Sequence, residues 1–128
     1  MRAVDTNVLV RLLTADDPQQ LKLAEAFIAK GAWVSHLVLA EALWVLKRLY
    51  GLEARAQAQV VEMLLAHESL SLQSPETVAE ALKVFQRRPA LGFSDCLIVA
   101  IARSAGHSPL GTFDRDLGKL EGAERIAG

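Results

Sequence analysis

The stretch Ala3-Val4-Asp5-Thr6-Asn7-Val8-Leu9-Val10 places three polar residues inside an otherwise apolar run. A run of this kind is typical of a parallel strand that is covered on both faces, because neither face then meets water. We therefore predict that Asp5-Thr6-Asn7 lies where a buried strand ends and where a helix over residues 8–13 begins. Ligands of open α/β sheets bind at that edge. Asp5 also has a structural interpretation, since Asp is a common N-cap of helices.

Predicted strands and helices alternate along the rest of the chain, which favours a parallel sheet with helices on both faces. Ser35 and Ser94 are the expected N-caps of two strongly apolar helices. Helices are predicted over residues 19–30, 37–49, 53–66, from 74 to about 88, from 94 to 102 and briefly before 123. Strands are predicted over residues 32–34, 69–72, 110–113 and near 123–127, and the strand at 110–113 is expected to be buried.

Length and composition predict one domain over residues 1–128. Hydrophobic residues make up 52% of the chain, so a full core can form without disulfides or a structural metal. The single cysteine, Cys96, excludes an internal disulfide and is typical of a reducing compartment. The sequence contains neither a secretory leader nor an apolar run of the ~18 residues that a membrane span needs. We therefore expect a soluble, cytoplasmic protein.

The net charge of -1 argues against a nonspecific DNA-coating protein, which needs a large basic excess. It does not exclude nucleic acid as a substrate, because acids that bind a divalent cation would cancel the charge of basic residues around the site in the net charge. The sequence has neither a Gly-Lys-Ser/Thr phosphate loop nor a Gly-x-Gly-x-x-Gly fingerprint. Nucleotide-binding folds with those signatures are therefore excluded.

Four acids stand out by their context. Asp5 and Asp114 each follow an apolar predicted strand, and Asp95 lies at the start of an apolar predicted helix. Glu41 lies within the apolar segment 38–44, where a lone carboxylate is costly to desolvate unless it is paired or bound to metal.

Each of these acids also has a structural interpretation. Asp95 and Asp114 are both suited to the first turn of a helix, where the helix dipole favours negative charge. Glu41 could instead pair with a buried arginine such as Arg11 or Arg103. The joint pattern favours a metal site, because carboxylates gathered at one sheet edge repel each other unless a divalent cation lies between them. Hard oxygen ligands of this kind suit Mg²⁺ or Mn²⁺.

Four motifs, in order along the chain, resemble those of the PIN domain family. Val4-Asp5-Thr6-Asn7-Val8-Leu9 resembles the first motif, and Leu39-Ala40-Glu41 the second. Phe93-Ser94-Asp95-Cys96-Leu97-Ile98 resembles the third, and Thr112-Phe113-Asp114-Arg115-Asp116 the fourth. In size and arrangement the chain is most similar to the VapC-type toxins of prokaryotic toxin–antitoxin pairs, which are bare PIN domains.

This resemblance implies an α/β, PIN-like three-layer fold with a mostly parallel sheet of four to five strands flanked by helices. It implies a Mg²⁺- or Mn²⁺-dependent endoribonuclease whose products carry 5′-phosphate and 3′-hydroxyl ends. Arg115 and Lys119 are candidate phosphate contacts, although most such residues lie on solvated helix faces. The resemblance assigns the metal and the catalytic step to Asp5, Glu41, Asp95 and Asp114. It assigns supporting roles to Thr6, Asn7 and Thr112, and leaves Asp116 either as a solvated surface acid or as an acid that shares or takes over the role of Asp114.

The implied partners are an RNA substrate, a cognate antitoxin and a second copy of the chain in a homodimer, with no membrane. Two alternatives remain open at this point: a housekeeping RNA-processing PIN nuclease, and a catalytically inactive PIN module that only binds RNA or protein. The presence of all four acids argues against the inactive module. An acid-cluster phosphatase is disfavoured, because such enzymes need a second acid two residues after the first and Asp5-Thr6-Asn7 lacks it.

Overall fold

Three short parallel strands form the first sheet of the computed structural model, which describes residues 1–127. They are hydrogen-bonded in the order β1-β2-β3, with Ala3 opposite Trp33 and Trp33 opposite Ser71. In β2 and β3 the outer residues are buried and the central one is exposed, so one face of the sheet contacts the core. The strands are β1 (Arg2–Ala3), β2 (Ala32–Val34) and β3 (Leu70–Leu72).

Four helices connect these strands and complete the first of two compact units, Met1–Pro75. Helix α1 packs against α2 and α3, and α4 packs against α3 and β3. Leu9, Leu39 and Leu64 are among the most deeply buried side chains, and they lie on three different helices. The helices are α1 (Thr6–Thr14), α2 (Pro18–Ile28), α3 (His36–Tyr50) and α4 (Ala54–Ala66).

Side-chain caps determine where three of these helices begin. Asp5, Asp17 and Ser35 each accept a hydrogen bond from the backbone amide three residues later, which satisfies a donor that has no partner within the helix. Helix α3 ends at Gly51, whose φ of 65° is the left-handed conformation that glycine adopts without steric cost. Asp5 therefore has the capping role that was one of its two predicted interpretations.

The second unit begins at Glu76, one residue into α5. Its core includes an edge-to-face pair of rings from Phe85 and Phe93, with centroids 5.8 Å apart. Strands β4 and β5 are parallel, with Leu110 opposite Ala123. The elements are α5 (Pro75–Arg87), a 3₁₀ turn (Pro89–Leu91), α6 (Phe93–Ser104), β4 (Leu110–Thr112), a second 3₁₀ turn (Leu117–Lys119) and β5 (Ala123–Arg125).

The predicted α/β fold with parallel strands is confirmed. The five strands are hydrogen-bonded as one sheet of three and one of two, because each strand has only two or three residues and makes few ladder bonds. The single domain over residues 1–128 stays a prediction. Within residues 1–127, no helix combines the length and apolar character that crossing a membrane requires.

Three local predictions were wrong. The strand at the start is not buried, because β1 is two exposed residues long; the helix predicted over residues 8–13 is present within α1. Ser94 is not an N-cap: α6 begins at Phe93, and the N-cap position is Gly92, whose φ of 84° turns the chain out of the preceding 3₁₀ turn. Strand β4 is only half-buried, and Phe113 lies beyond its end with 77% of its surface exposed.

Candidate active site

Asp5 lies between β1 and α1 with its side chain exposed. The backbone amide of Val4 donates to the Trp33 carbonyl (3.1 Å), which ties this position to the end of the sheet. One carboxylate oxygen of Asp5 accepts from the Val8 amide at 3.0 Å. A carboxylate has two acceptor oxygens, so the oxygen that does not cap the helix can bind a cation. Thr6 and Asn7 follow in the first turn of α1.

Glu41 lies on α3 and is exposed, so the prediction that its carboxylate is desolvated was wrong. Leu39, Ala42 and Leu43 are the neighbours that face the core, whereas Trp44, like Glu41, lies at the surface. Neither proposed arginine pairing is observed: Arg11 pairs with Asp16, and Arg103 pairs with Glu121, each at 3.1 Å. Because Glu41 is exposed, a cation can reach its carboxylate. The carboxylate is hydrated without a cation, so its position does not require one.

In the second unit, Asp114 follows β4, and two hydrogen bonds to nearby residues hold it in place. Its amide donates to Thr112 Oγ1 at 3.1 Å, and its Oδ1 accepts from the Leu117 amide at 2.8 Å. These two bonds fix the turn that leads from β4 into the second 3₁₀ helix. Thr112 thus holds the backbone at Asp114, and its supporting role in a metal site stays a prediction.

Asp95 lies in the first turn of α6 and is half-buried. Burial raises the pKa of its carboxyl group above the ordinary value, and the nearby charge of Asp114 raises it further. The structure therefore brings Asp95 and Asp114 close enough for their charges to interact, although they are distant in the sequence. Both Asp114 and Asp116 are exposed, and it is the charge of Asp114 that acts on Asp95.

Cys96 follows Asp95 in α6 but is buried with 1% of its surface exposed. Burial is the main cause that raises the pKa of its thiol to about 11, and the charge of Asp95 acts in the same direction. The thiol therefore stays protonated at neutral pH. A protonated thiol is a poor nucleophile, so burial leaves Cys96 unreactive.

A pocket of about 270 Å³ lies beside Asp5 and Asn7 in the groove between α1 and α2. Arg11 and Gln20 line it, and Leu23 contributes an apolar wall. Arg11 Nε donates to Gln20 Oε1 at 2.7 Å. Sequence reasoning missed Gln20 entirely, because no local pattern shows that α2 packs against the N-terminal half of α1.

The donor set suits a divalent cation. Mg²⁺ keeps several of its waters and is bound in proteins through one or two carboxylates together with substrate phosphates. The Asp95–Asp114 pair has that chemistry, since a cation between the two groups would offset the Asp114 charge, which adds to burial in raising the pKa of Asp95. Across residues 1–127, no group of three or more His, Cys, Asp or Glu side chains is close enough to hold an ion by itself.

Comparison with known proteins gives one result. The model of the PIN domain family matches residues 2–123, which is almost the whole chain. No curated protein matches the chain significantly.

Proposed function

This chain belongs to the PIN domain family, and from that premise we propose that it is a metal-dependent endoribonuclease. PIN domains are generally nucleases that use divalent metals, and nucleic acid is therefore the substrate class. Within this class we propose RNA as the substrate and Mg²⁺ or Mn²⁺ as the cofactor. We assign metal binding and catalysis to Asp5, Glu41, Asp95 and Asp114.

The observation that carries this proposal is the interaction between Asp95 and Asp114 in the second unit. Two neighbouring carboxylates that repel each other destabilise the fold when no cation lies between them. Both acids lie in motifs of the family, one at the start of α6 and the other just after β4. A divalent cation between them converts the repulsion into binding energy.

The contacts of these side chains indicate how each would act. The Leu117 amide holds one oxygen of Asp114, so the other oxygen remains free to bind the ion. Asp5 is held in the same way by Val8, and Asn7 lies beside it in the first turn of α1. A bound Mg²⁺ or Mn²⁺ would supply an activated water for in-line attack and would neutralise charge on the phosphate.

The acids bind the ion and do not themselves attack the phosphorus. Cys96, the neighbouring thiol, is buried and protonated, so it does not serve as a nucleophile. We therefore propose direct hydrolysis without a covalent intermediate: water attacks the phosphorus and the 3′ oxygen leaves, which gives 5′-phosphate and 3′-hydroxyl ends. Arg115 and Lys119 are both exposed near Asp114 in the sequence, and we propose them as phosphate contacts.

The experiment is to incubate the purified protein with tRNA and rRNA, with and without Mn²⁺, and to map the cut ends. We expect Mn²⁺-dependent internal cuts that Asp114→Asn abolishes. Asp116→Asn is the matched control: it removes the same charge two residues away and should retain cleavage. Equal cleavage by wild type and Asp114→Asn would contradict the assignment, and loss of cleavage only in Asp116→Asn would move the fourth ligand to Asp116.

We further propose that the protein is the toxin of a type II toxin–antitoxin pair. Support comes from apolar side chains of α3 that lie at the surface, Leu37, Trp44 and Leu49, of which Trp44 is 59% exposed. Exposed apolar residues on one helix are typical of protein interfaces, here with an antitoxin and with a second copy of the chain. The free cysteine is consistent with a cytoplasmic location.

A small open reading frame directly upstream, whose product binds the protein and blocks cleavage, would support the toxin assignment. A neighbouring gene of another kind, with cleavage that does not arrest growth on expression, would favour a housekeeping RNA-processing nuclease. Chromatography at defined concentrations tests the homodimer. A monomer at every concentration would contradict it.

A further inference from the structure

The pocket between α1 and α2 adjoins one of the proposed metal ligands, so whatever occupies it lies next to the reaction. Asp5 and Asn7 line one end of the pocket, and Gln20 lines it from α2. Leu23 contributes an apolar wall and is 66% exposed, so a ligand in the pocket can cover it. This lining suits a flat ring whose face contacts the apolar wall and whose polar edges contact the polar side chains.

The orientation of the Gln20 amide is fixed by its neighbour. Arg11 Nε donates to Gln20 at 2.7 Å, and a guanidinium group has donors only, so the atom that faces it must be the amide oxygen. The Nε2 group of Gln20 is therefore the part that remains to contact a ligand, and it can only donate.

Arg11 is itself held in place, which makes this orientation stable. Its Nη1 donates to Asp16 Oδ1 at 3.1 Å, and Tyr50 Oη donates to the other oxygen of Asp16 at 2.8 Å. The Thr14 hydroxyl also donates to Asp16 at 2.9 Å. The network joins α1 to the start of α2 and the end of α3, so Gln20 is presented by a rigid support.

We propose that this pocket binds a keto base, guanine or uracil, beside the scissile phosphate of the RNA, and that Gln20 selects the base by donating to its carbonyl oxygen. This inference rests on the proposed ribonuclease function, because it takes RNA as the ligand. Guanine O6 and the O4 of uracil are acceptors, whereas adenine and cytosine carry an amino donor at the equivalent position. A donor opposite a donor leaves both unpaired, which disfavours the amino bases.

The test measures binding of short fluorescent oligoribonucleotides in EDTA, so that the result does not depend on metal or on cleavage. The oligonucleotides differ at one position, which is a keto or an amino base. We expect wild type to prefer the keto base by about tenfold, as one well-placed base contact supplies. Gln20→Glu presents only acceptors yet keeps an oxygen for Arg11, so the preference should reverse towards adenine and cytosine.

Gln19→Glu is the matched control, because it makes the same charge change on the adjacent exposed residue of α2, outside the pocket. It should keep the wild-type preference. The inference is overturned if wild type does not discriminate or does not bind, or if Gln20→Glu keeps the keto preference. A pocket that serves a protein partner would give the first result, no discrimination or no binding by wild type.

Failure of the inference is distinguishable from failure of the proposed function. Mn²⁺-dependent cleavage without any base preference would overturn the role of Gln20 and leave the ribonuclease assignment intact. A Gln20-dependent base preference in a protein that cuts no RNA would support the pocket and contradict the ribonuclease assignment.

Discussion

Asp5 combines a structural role with a proposed catalytic one, and two substitutions separate them. Asp5→Ala removes the hydrogen bond to the Val8 amide, which is 3.0 Å long in the structure. Loss of an N-cap costs about 1 kcal/mol. With an unfolding entropy of about 2.1 cal/mol/K per residue, that cost should lower Tm by about 4 °C for a chain of this length.

Asp5→Asn retains the cap, because Asn and Asp are about equally good at this position. Its free energy of unfolding should therefore stay within about 0.5 kcal/mol of wild type. It nevertheless removes the charge that we assign to metal binding. We expect Asp5→Asn to keep its Tm in the absence of metal and to lose Mn²⁺-dependent cleavage. Asp5→Ala should have a lower Tm and should also lose this cleavage.

Asp17 supplies the matched control, because it caps α2 in the same manner through the Gln20 amide at 3.1 Å. Asp17→Asn should keep both stability and cleavage. Calorimetry and RNA cleavage by the same protein preparations give the two readouts. Undiminished cleavage by Asp5→Asn would refute the metal role, and an unchanged Tm in Asp5→Ala would refute the energetic value of the cap.

Three further predictions concern the second unit and the metal. Mn²⁺ at a hundredfold excess over its Kd should add about 2.7 kcal/mol to the free energy of unfolding, and EDTA should remove this gain; an unchanged Tm would count against a site. Because the pKa of Asp95 is raised in the folded state, its ionised form destabilises the metal-free fold above that pKa. Asp95→Asn should therefore stabilise the metal-free protein at pH 7 but not at pH values below the ordinary Asp pKa of about 4, as urea titrations would show; equal effects at both pH values would contradict the repulsion. Cys96 should react with a thiol reagent at neutral pH only after unfolding, since burial raises the pKa of its thiol to about 11; rapid alkylation of the native protein would contradict this.

Helices were predictable from the sequence because their signals are local. Ser35 marks the start of α3 and Gly51 its end, and the helix bounds, His36–Tyr50, differ from the predicted 37–49 by one residue at each end. The predicted helix over residues 53–66 corresponds to Ala54–Ala66. Each of these signals depends on a backbone hydrogen bond or a backbone conformation that a single residue determines, so tertiary contacts were not needed to find it.

Burial was less predictable, because a strand of two or three residues is too short for the alternation of buried and exposed side chains to show in the sequence. The start of the chain shows this: the strand Arg2–Ala3 has only two residues, both exposed, and α1 already begins at Thr6. Helix α3 shows the same difficulty: it is apolar on nearly all sides, and Trp44 lies at the surface beside Glu41 rather than covering it. Apolar character alone did not show which side faces the core.

The candidate site was predictable at the level of motifs but not of contacts. The motifs placed Asp95 in the first turn of a helix and Asp114 after a strand, and the structure confirms both positions. Which of Asp114 and Asp116 faces Asp95 depends on the turn that the Leu117 amide closes, and that turn has no sequence signature. The pocket at Gln20 depends on helix packing and could not be read from the chain.

The central claim is that carboxylates of this chain bind a divalent cation, and calorimetric titration with Mn²⁺ tests it most directly. Wild type and Asp17→Asn should bind with the same affinity. Asp95→Asn and Asp114→Asn should each bind at least tenfold more weakly, since loss of a ligand costs no less than loss of a group that merely orients one. Equal Mn²⁺ affinity in all four proteins, or no binding by wild type, would contradict the account.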